Sequence, residues 1–214
     1  GRSGRLYTGH WLIDNRENSP SPKAVGQATN TTVHFADLSD SEILAYVGSL
    51  GLGTDAGYMD LTRATRSPGS TLKPFIYGMA FDDGLLDSQT VLHDTPKAYG
   101  DYAPGNFDKG HRGPVRAGVA LQESLNIPAV AVLSDLGVDV FQRAWEEAGL
   151  KLKMAKGADP NLGLALGAVG MRLQDLVQAY SAFANGGQVS KLTYTPVVQE
   201  SSGFKSTTLL TKQS

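Results

Sequence analysis

The sequence has 214 residues, 41% of them hydrophobic, enough to bury a sizeable core in one globular body or one and a half. Its 19 basic and 21 acidic side chains nearly balance, leaving no electrostatic footprint for a nucleic-acid backbone or an anionic membrane surface. Cysteine is absent, which excludes disulfide frameworks, thiolate metal sites and cysteine nucleophiles together; a nucleophile must be Ser, Thr, Lys or a carboxylate.

Residues 1–32 are polar, with Asn18-Ser19-Pro20-Ser21-Pro22 at their centre, and read as an N-terminal extension or linker ahead of one domain over residues 33–214. No apolar stretch follows Gly1-Arg2-Ser3-Gly4-Arg5, and no run of about 18 apolar residues occurs, so any membrane anchor or export signal is expected outside this chain. Alternation over residues 32–36, a polar turn at 38–41 and a β-rich run at 42–48 predict an antiparallel hairpin. Gly51, Gly53 and Gly57 then form a loose connection; a phosphate loop would need Gly-Lys-Ser/Thr and an apolar helix after it, and neither is there.

Pro68-Gly69 breaks the chain just before a helical pattern at residues 70–81, which places Ser70 in the first turn. Residues 84–115 are rich in Asp, Pro, Gly and Tyr, and are expected to form a structured excursion of the kind that walls a cleft. Helical periodicity returns at 117–125, 129–133, 140–148 and 172–183, the last ended by Gly186-Gly187. Beyond Leu192, residues 194–198 predict one strand and 201–214 a Ser/Thr/Lys tail.

Ser70 and Lys73 stand three apart on the predicted helix, so they share a face and the amine can approach the hydroxyl it would deprotonate. Burial of Lys73 without a carboxylate partner would lower its pKa and supply neutral amine. Free N–H groups and the positive helix end would lie where an oxyanion develops at Ser70. Taken alone, this pair reads as a solvated lysine on a helix start. A second candidate, Ser124-Leu125-Asn126, falls where a helix is expected to end, with Pro128 enforcing a break; alone it reads as a plain cap.

Together the two motifs, S-x-x-K followed by S-x-N, have the order used by penicillin-binding proteins and class A β-lactamases. The segment Arg66-Ser67-Pro68-Gly69-Ser70-Thr71-Leu72-Lys73-Pro74-Phe75-Ile76-Tyr77-Gly78 resembles the nucleophile segment of bifunctional class A penicillin-binding proteins, particularly the 1C branch. The likeness continues through Tyr102-Ala103-Pro104-Gly105-Asn106-Phe107-Asp108, Arg112-Gly113-Pro114-Val115, residues 120–130 and residues 179–187, and covers roughly residues 33–192.

That resemblance implies an α/β (α+β) transpeptidase fold, an antiparallel sheet flanked by a helical cluster, with helices outweighing strands. It further implies a peptidoglycan D,D-transpeptidase, with Ser70 attacking a stem peptide, D-Ala leaving, and an amine resolving the acyl-enzyme. Lys73 resembles the general base, Ser124 the proton relay and Asn126 the amide that holds Lys73 and the substrate carbonyl; Gly69, Asn106 and Tyr102 are expected against substrate. The implied partners are peptidoglycan stem peptides, β-lactam antibiotics and cell-wall synthesis proteins, with no nucleic acid and with membrane attachment only through an anchor outside this chain. The implied location is the bacterial periplasm or the outer face of the inner membrane, and no metal or organic cofactor is expected.

The family's third motif, Lys-Thr/Ser-Gly on an edge strand, does not occur in these residues, and Lys205-Ser206-Thr207 would set a side chain where substrate backbone should approach. The sheet is therefore expected to be incomplete in this chain. Two alternatives stay open: a serine β-lactamase or D,D-carboxypeptidase, and a non-catalytic sensor or scaffold of the same fold. His10, His34, His93 and His111 are scattered without metal-ligand spacing, and the adjacent pairs Asp82-Asp83 and Glu146-Glu147 read as solvated.

Overall fold

A computed structural model describes residues 33–37, 42–47, 60, 62–192 and 207–211. Among these, five α-helices outweigh six short strands: β1 (Val33–Asp37), β2 (Glu42–Val47), α1 (Lys73–Asp82), β3 (Val91–Asp94), β4 (Gly113–Arg116), α2 (Ala117–Gln122), α3 (Asn126–Leu136), α4 (Val138–Glu147), α5 (Leu173–Ala184), β5 (Gln188–Val189) and β6 (Thr207–Thr208). The expected extension at 1–32, the glycine-rich connection at 51–57 and the strand at 194–198 lie outside the described residues. The chain divides into two compact units, one of residues 1–65 with 172–207, the other of residues 66–171 with 208–214.

In the first unit, β1 and β2 pair antiparallel as the predicted hairpin, with Val33 opposite Val47 and Asp37 opposite Glu42, and a register irregularity between Phe35 and Ala36. Ile43 of β2 is buried with Leu173 and Val177 of α5 and with Leu192. Arg172 precedes α5 and grips Asp175 in its first turn by two bonds, Nε to Oδ2 at 2.8 Å and an NH2 donor to Oδ1 at 2.7 Å. The acid there also meets the positive end of the helix. At the other end Gly186 and Gly187 take positive φ, and the Gly187 N–H closes on the Ala182 carbonyl at 2.8 Å, so the glycine stop acts as the sequence predicts.

The second unit is built around α1. Positions 73 and 75–80 of this helix are all buried, so it has almost no solvent face and sits inside a helical cluster rather than on its surface. Phe75 meets the Trp145 ring edge-on at 5.0 Å, and Phe141 stacks on Trp145 at 5.3 Å. From α3, the fully or almost fully buried Ile127, Val130 and Leu133 extend the same core, and α1 packs on α3. Leu210 seals Gly78, where a Cβ would stand 2.9 Å from its methyl. Asp82, read from sequence as a solvated acid, instead accepts from both Thr211 N–H, at 2.6 Å, and the Thr211 hydroxyl. Sequence neighbours gave no hint of a partner 129 residues away.

The excursion at 84–115 is ordered as predicted: β3 and β4 pair antiparallel at its two ends, with Asp94 opposite Gly113. Two expectations are corrected. Ser70 lies not in the α-helix but in a preceding 3-10 turn, Gly69–Leu72, because Gly69 enters it at φ +56. Pro128 does not break a helix either; it occupies the first turn of α3, where its lost N–H would have had no partner in the helix.

The Tyr77 hydroxyl is buried within this core and has no hydrogen-bond partner among the described residues. Burial raises its pKa well above the ordinary tyrosine range. A buried hydroxyl left unpaired costs about 1–3 kcal/mol. Tyr77→Phe is therefore expected to raise stability by about 1 kcal/mol, read as a higher midpoint in urea unfolding at unchanged m; a lower midpoint refutes it.

Candidate active site

The turn at residues 124–126 closes on Lys73 of α1. Its side chain is 1% exposed, and its Nζ donates to the Asn126 Oδ1 at 2.7 Å, the Ser124 carbonyl at 2.6 Å and the Ser124 Oγ at 3.2 Å. The three ammonium donors thus have three neutral oxygen acceptors, with no carboxylate among them. Burial lowers the Lys73 pKa from 10.5 to about 8, as the sequence reading anticipates for a lysine in this position.

The geometry of residues 124–126 explains how one short turn supplies all three acceptors. Ser124 takes φ +54, a left-handed conformation rare for residues other than glycine, and both its carbonyl and its hydroxyl address Lys73. Such a conformation costs about 1–3 kcal/mol and persists where the surroundings over-determine it. Leu125 is then extended and buried, and Asn126 opens α3. The Asn126 side chain is held from both ends, its Oδ1 by Lys73 and its Nδ2 by the Gly105 carbonyl at 2.7 Å.

Ser70 itself is exposed in the 3-10 turn that leads into α1. The turn that carries it is braced from behind. Arg66 exchanges backbone bonds with Met171 at 2.9 and 2.8 Å, and the Ser67 Oγ donates to the Gly167 carbonyl at 2.7 Å while accepting from Gly69 N–H at 3.2 Å. Gly167 follows a 3-10 turn, Leu162–Leu166, whose start is capped by the Asn161 side chain on Gly163 N–H at 2.9 Å.

Of the residues expected against substrate, Gly69 is half-buried in the nucleophile turn, and its N–H is already given to Ser67. Tyr102 is half-buried at a tight turn closed by backbone bonds with Tyr99 at 2.7 and 3.1 Å. Asn106 is 8% exposed, and its polar atoms are engaged inside the protein, with Nδ2 donating to Asp94 and the Gly110 carbonyl and Oδ1 accepting from the Asn126 N–H. Its place is under the 124–126 turn. An open cleft of about 490 Å³ adjoins this junction, lined in part by Lys97, Pro104, Gly105, Asn106, Lys109 and His111.

A mixed α/β chain in which an S-x-x-K helix start and an S-x-N turn converge on one buried lysine has the makings of a serine acyl-transfer centre. The fold is that of penicillin-binding transpeptidases, and the chain belongs to the family described as penicillin binding protein transpeptidase domain, whose model matches residues 31–213. It is 45% identical over 162 residues to penicillin-binding protein 1C of Escherichia coli, covering 75% of this chain and 21% of that protein. It is 35% identical over 137 residues to penicillin-binding protein 1F of Bacillus subtilis, covering 63% of this chain and 18% of that protein. The chain thus spans about a fifth of the length of these curated relatives. Among solved structures, a peptidoglycan glycosyltransferase from Burkholderia ambifaria shares the fold with a TM-score of 0.69 at 19% identity, over 85% of this chain and 61% of that one.

Among the described residues no helix is long and apolar enough to cross a membrane.

Proposed function

We propose that this chain carries the acyl-transfer centre of a peptidoglycan D,D-transpeptidase, with Ser70 as nucleophile, Lys73 as general base, Ser124 as proton relay and Asn126 as the amide that orients Lys73 and the substrate carbonyl. The observation that carries this reading is the lysine: buried, without a counter-charge, and ringed by oxygens of Ser124 and Asn126. With a pKa of about 8, roughly a tenth of Lys73 is neutral amine at pH 7.

Neutral Lys73 takes the Ser70 hydroxyl proton as Oγ attacks the carbonyl carbon of the penultimate D-Ala in a stem peptide. The tetrahedral oxyanion collapses, the peptide C–N bond breaks, and the proton passes from Lys73 through the Ser124 hydroxyl to the departing D-Ala amine. An amine of a neighbouring stem peptide then attacks the Ser70 ester carbonyl, its proton returns through Ser124 and Lys73 to Ser70 Oγ as the ester C–O bond breaks, and the new amide is the cross-link. A β-lactam presents the same carbonyl in a strained ring whose amine stays tethered, so the acyl-enzyme persists. The substrate places this chemistry outside the cytoplasmic membrane.

The test is the intact mass of the protein after incubation with benzylpenicillin, followed by peptide mapping. One adduct is expected, equal in mass to the whole antibiotic and carried by the peptide that contains Ser70. No adduct, or one mapped elsewhere, sinks the reading. An adduct that forms and hydrolyses within seconds favours a β-lactamase over a transpeptidase.

A further inference from the structure

Behind Asn106 lies a buried carboxylate to which the reaction above gives no part. Asp94, at the end of β3, is 0% exposed and meets no cationic side chain in the described hydrogen bonds and ion pairs. Its acceptors are filled by amides: Asn106 Nδ2 at 2.7 and 2.9 Å and the Arg112 N–H at 2.8 Å. The Arg112 side chain turns away to Asp108 and Glu123. A buried carboxylate is costly unless its acceptors are used, and here its main customer is a single carboxamide.

That carboxamide has one arrangement that works. Asn106 Nδ2 faces Asp94 and the Gly110 carbonyl, and Oδ1 therefore faces the N–H of Asn126, which donates to it at 2.8 Å. Asn126 is the first residue of α3, its N–H is one of the orphans of a helix start, and the preceding Leu125 has no side chain able to cap it. A flipped amide would put NH2 against N–H at Asn126 and oxygen against carboxylate at Asp94. The charge on Asp94 forbids that flip.

We propose that Asp94 is a positioning residue for the acyl-transfer step: through the fixed amide of Asn106 it pins the start of α3, and so the Asn126 side chain that holds Lys73. The chain of bonds runs Asp94, Asn106, Asn126, Lys73, with links of 2.7, 2.8 and 2.7 Å. This rests on the functional reading above, since it assigns Asp94 to that reaction.

Two readouts separate the link from the reaction. Hydrogen exchange at the Asn126 backbone amide, followed without antibiotic, is expected to accelerate at least tenfold in Asp94→Ala. Benzylpenicillin acylation, split into reversible binding and acylation rate, is expected to lose about 10- to 100-fold in the rate at near-constant binding, since misplacing a catalytic group by about 1 Å can cost on the order of 100-fold. In an Asn126→Ala background Asp94→Ala should cost less than about twofold more, since both then break the same link. Should Asp94→Ala fold poorly, Asp94→Asn, which keeps the volume but removes the charge that forbids the flip, is read in its place and is expected to speed Asn126 exchange and slow acylation in the same sense. Unchanged Asn126 exchange or fully multiplicative penalties each overturn the proposal. An unsubstituted protein that takes no adduct at Ser70 overturns the functional reading instead, whatever the exchange data show.

Discussion

Replacing Lys73 with Met is expected to slow acylation of the protein by benzylpenicillin about 10²- to 10⁴-fold, the range for loss of a positioned general base. The variant keeps the apolar bulk of the side chain in a site that is 1% exposed, so the change removes a base more than it opens a cavity. The unsubstituted protein should show acylation rising with pH and levelling near pH 8, where Lys73 becomes mostly neutral, and Lys73→Met should lose that rise. Ser70→Ala sets the floor, with no adduct at any pH. A Lys73→Met protein that acylates at the normal rate would remove lysine from the mechanism.

The same pKa shift has a consequence for stability, opposite in sense to a salt bridge. Between about pH 8 and 10.5 the unfolded chain holds a proton on Lys73 that the folded protein has released. Stability therefore rises with pH across that window, by an amount on the order of 3 kcal/mol from this one group, and is lowest below pH 8, where a buried ammonium must be kept. Lys73→Met should flatten that part of the curve.

The second large effect is expected at a residue with no chemistry. Gly167 has φ +87, and a Cβ there would stand 2.4 Å from Gly69 N, 2.5 Å from Gly69 Cα and 2.7 Å from Ser67 Oγ. Two of these atoms are backbone and cannot swing aside. Gly167→Ala should cost about 3 kcal/mol or more, adding overpacking to left-handed strain, and should cut acylation by tenfold or more because the displaced atoms lead directly into Ser70. Gly157 separates the two causes: its φ is +76 but open space surrounds it, so Gly157→Ala should cost only about 1 kcal/mol and leave acylation intact. Equal penalties at the two positions, read from urea midpoints, would discard the steric account.

What the sequence made legible was periodic or local. The hairpin, the helix after Ser70 and the glycine stop after α5 all follow from patterns within a dozen residues. The convergence of Ser124 and Asn126 on Lys73 was anticipated through the likeness of the motifs, since no local pattern joins residues more than 50 apart. Other features left no pattern to find. Gly167 is one glycine among 25 until its neighbour 100 residues earlier is seen against it. Asp94 belongs to no motif, and Asn106 stands out only within the string Tyr102–Asp108, whose likeness implies contact with substrate. Its actual surroundings, a carboxylate on one side and a helix start on the other, are set by tertiary packing. Pro128 misled for a related reason: a proline marks a break only if the helix has already begun, and here it had just started.

The near-complete enclosure of α1 carries one more implication, for how the protein fails. A nucleophile on a loop can be lost to local fraying while the rest of the fold persists. Ser70 instead leads directly into a helix buried from Phe75 to Ala80, with Trp145 and Leu210 closed around it. Loosening that helix means opening the aromatic cluster itself, so heat inactivation and global unfolding should share one rate-limiting barrier.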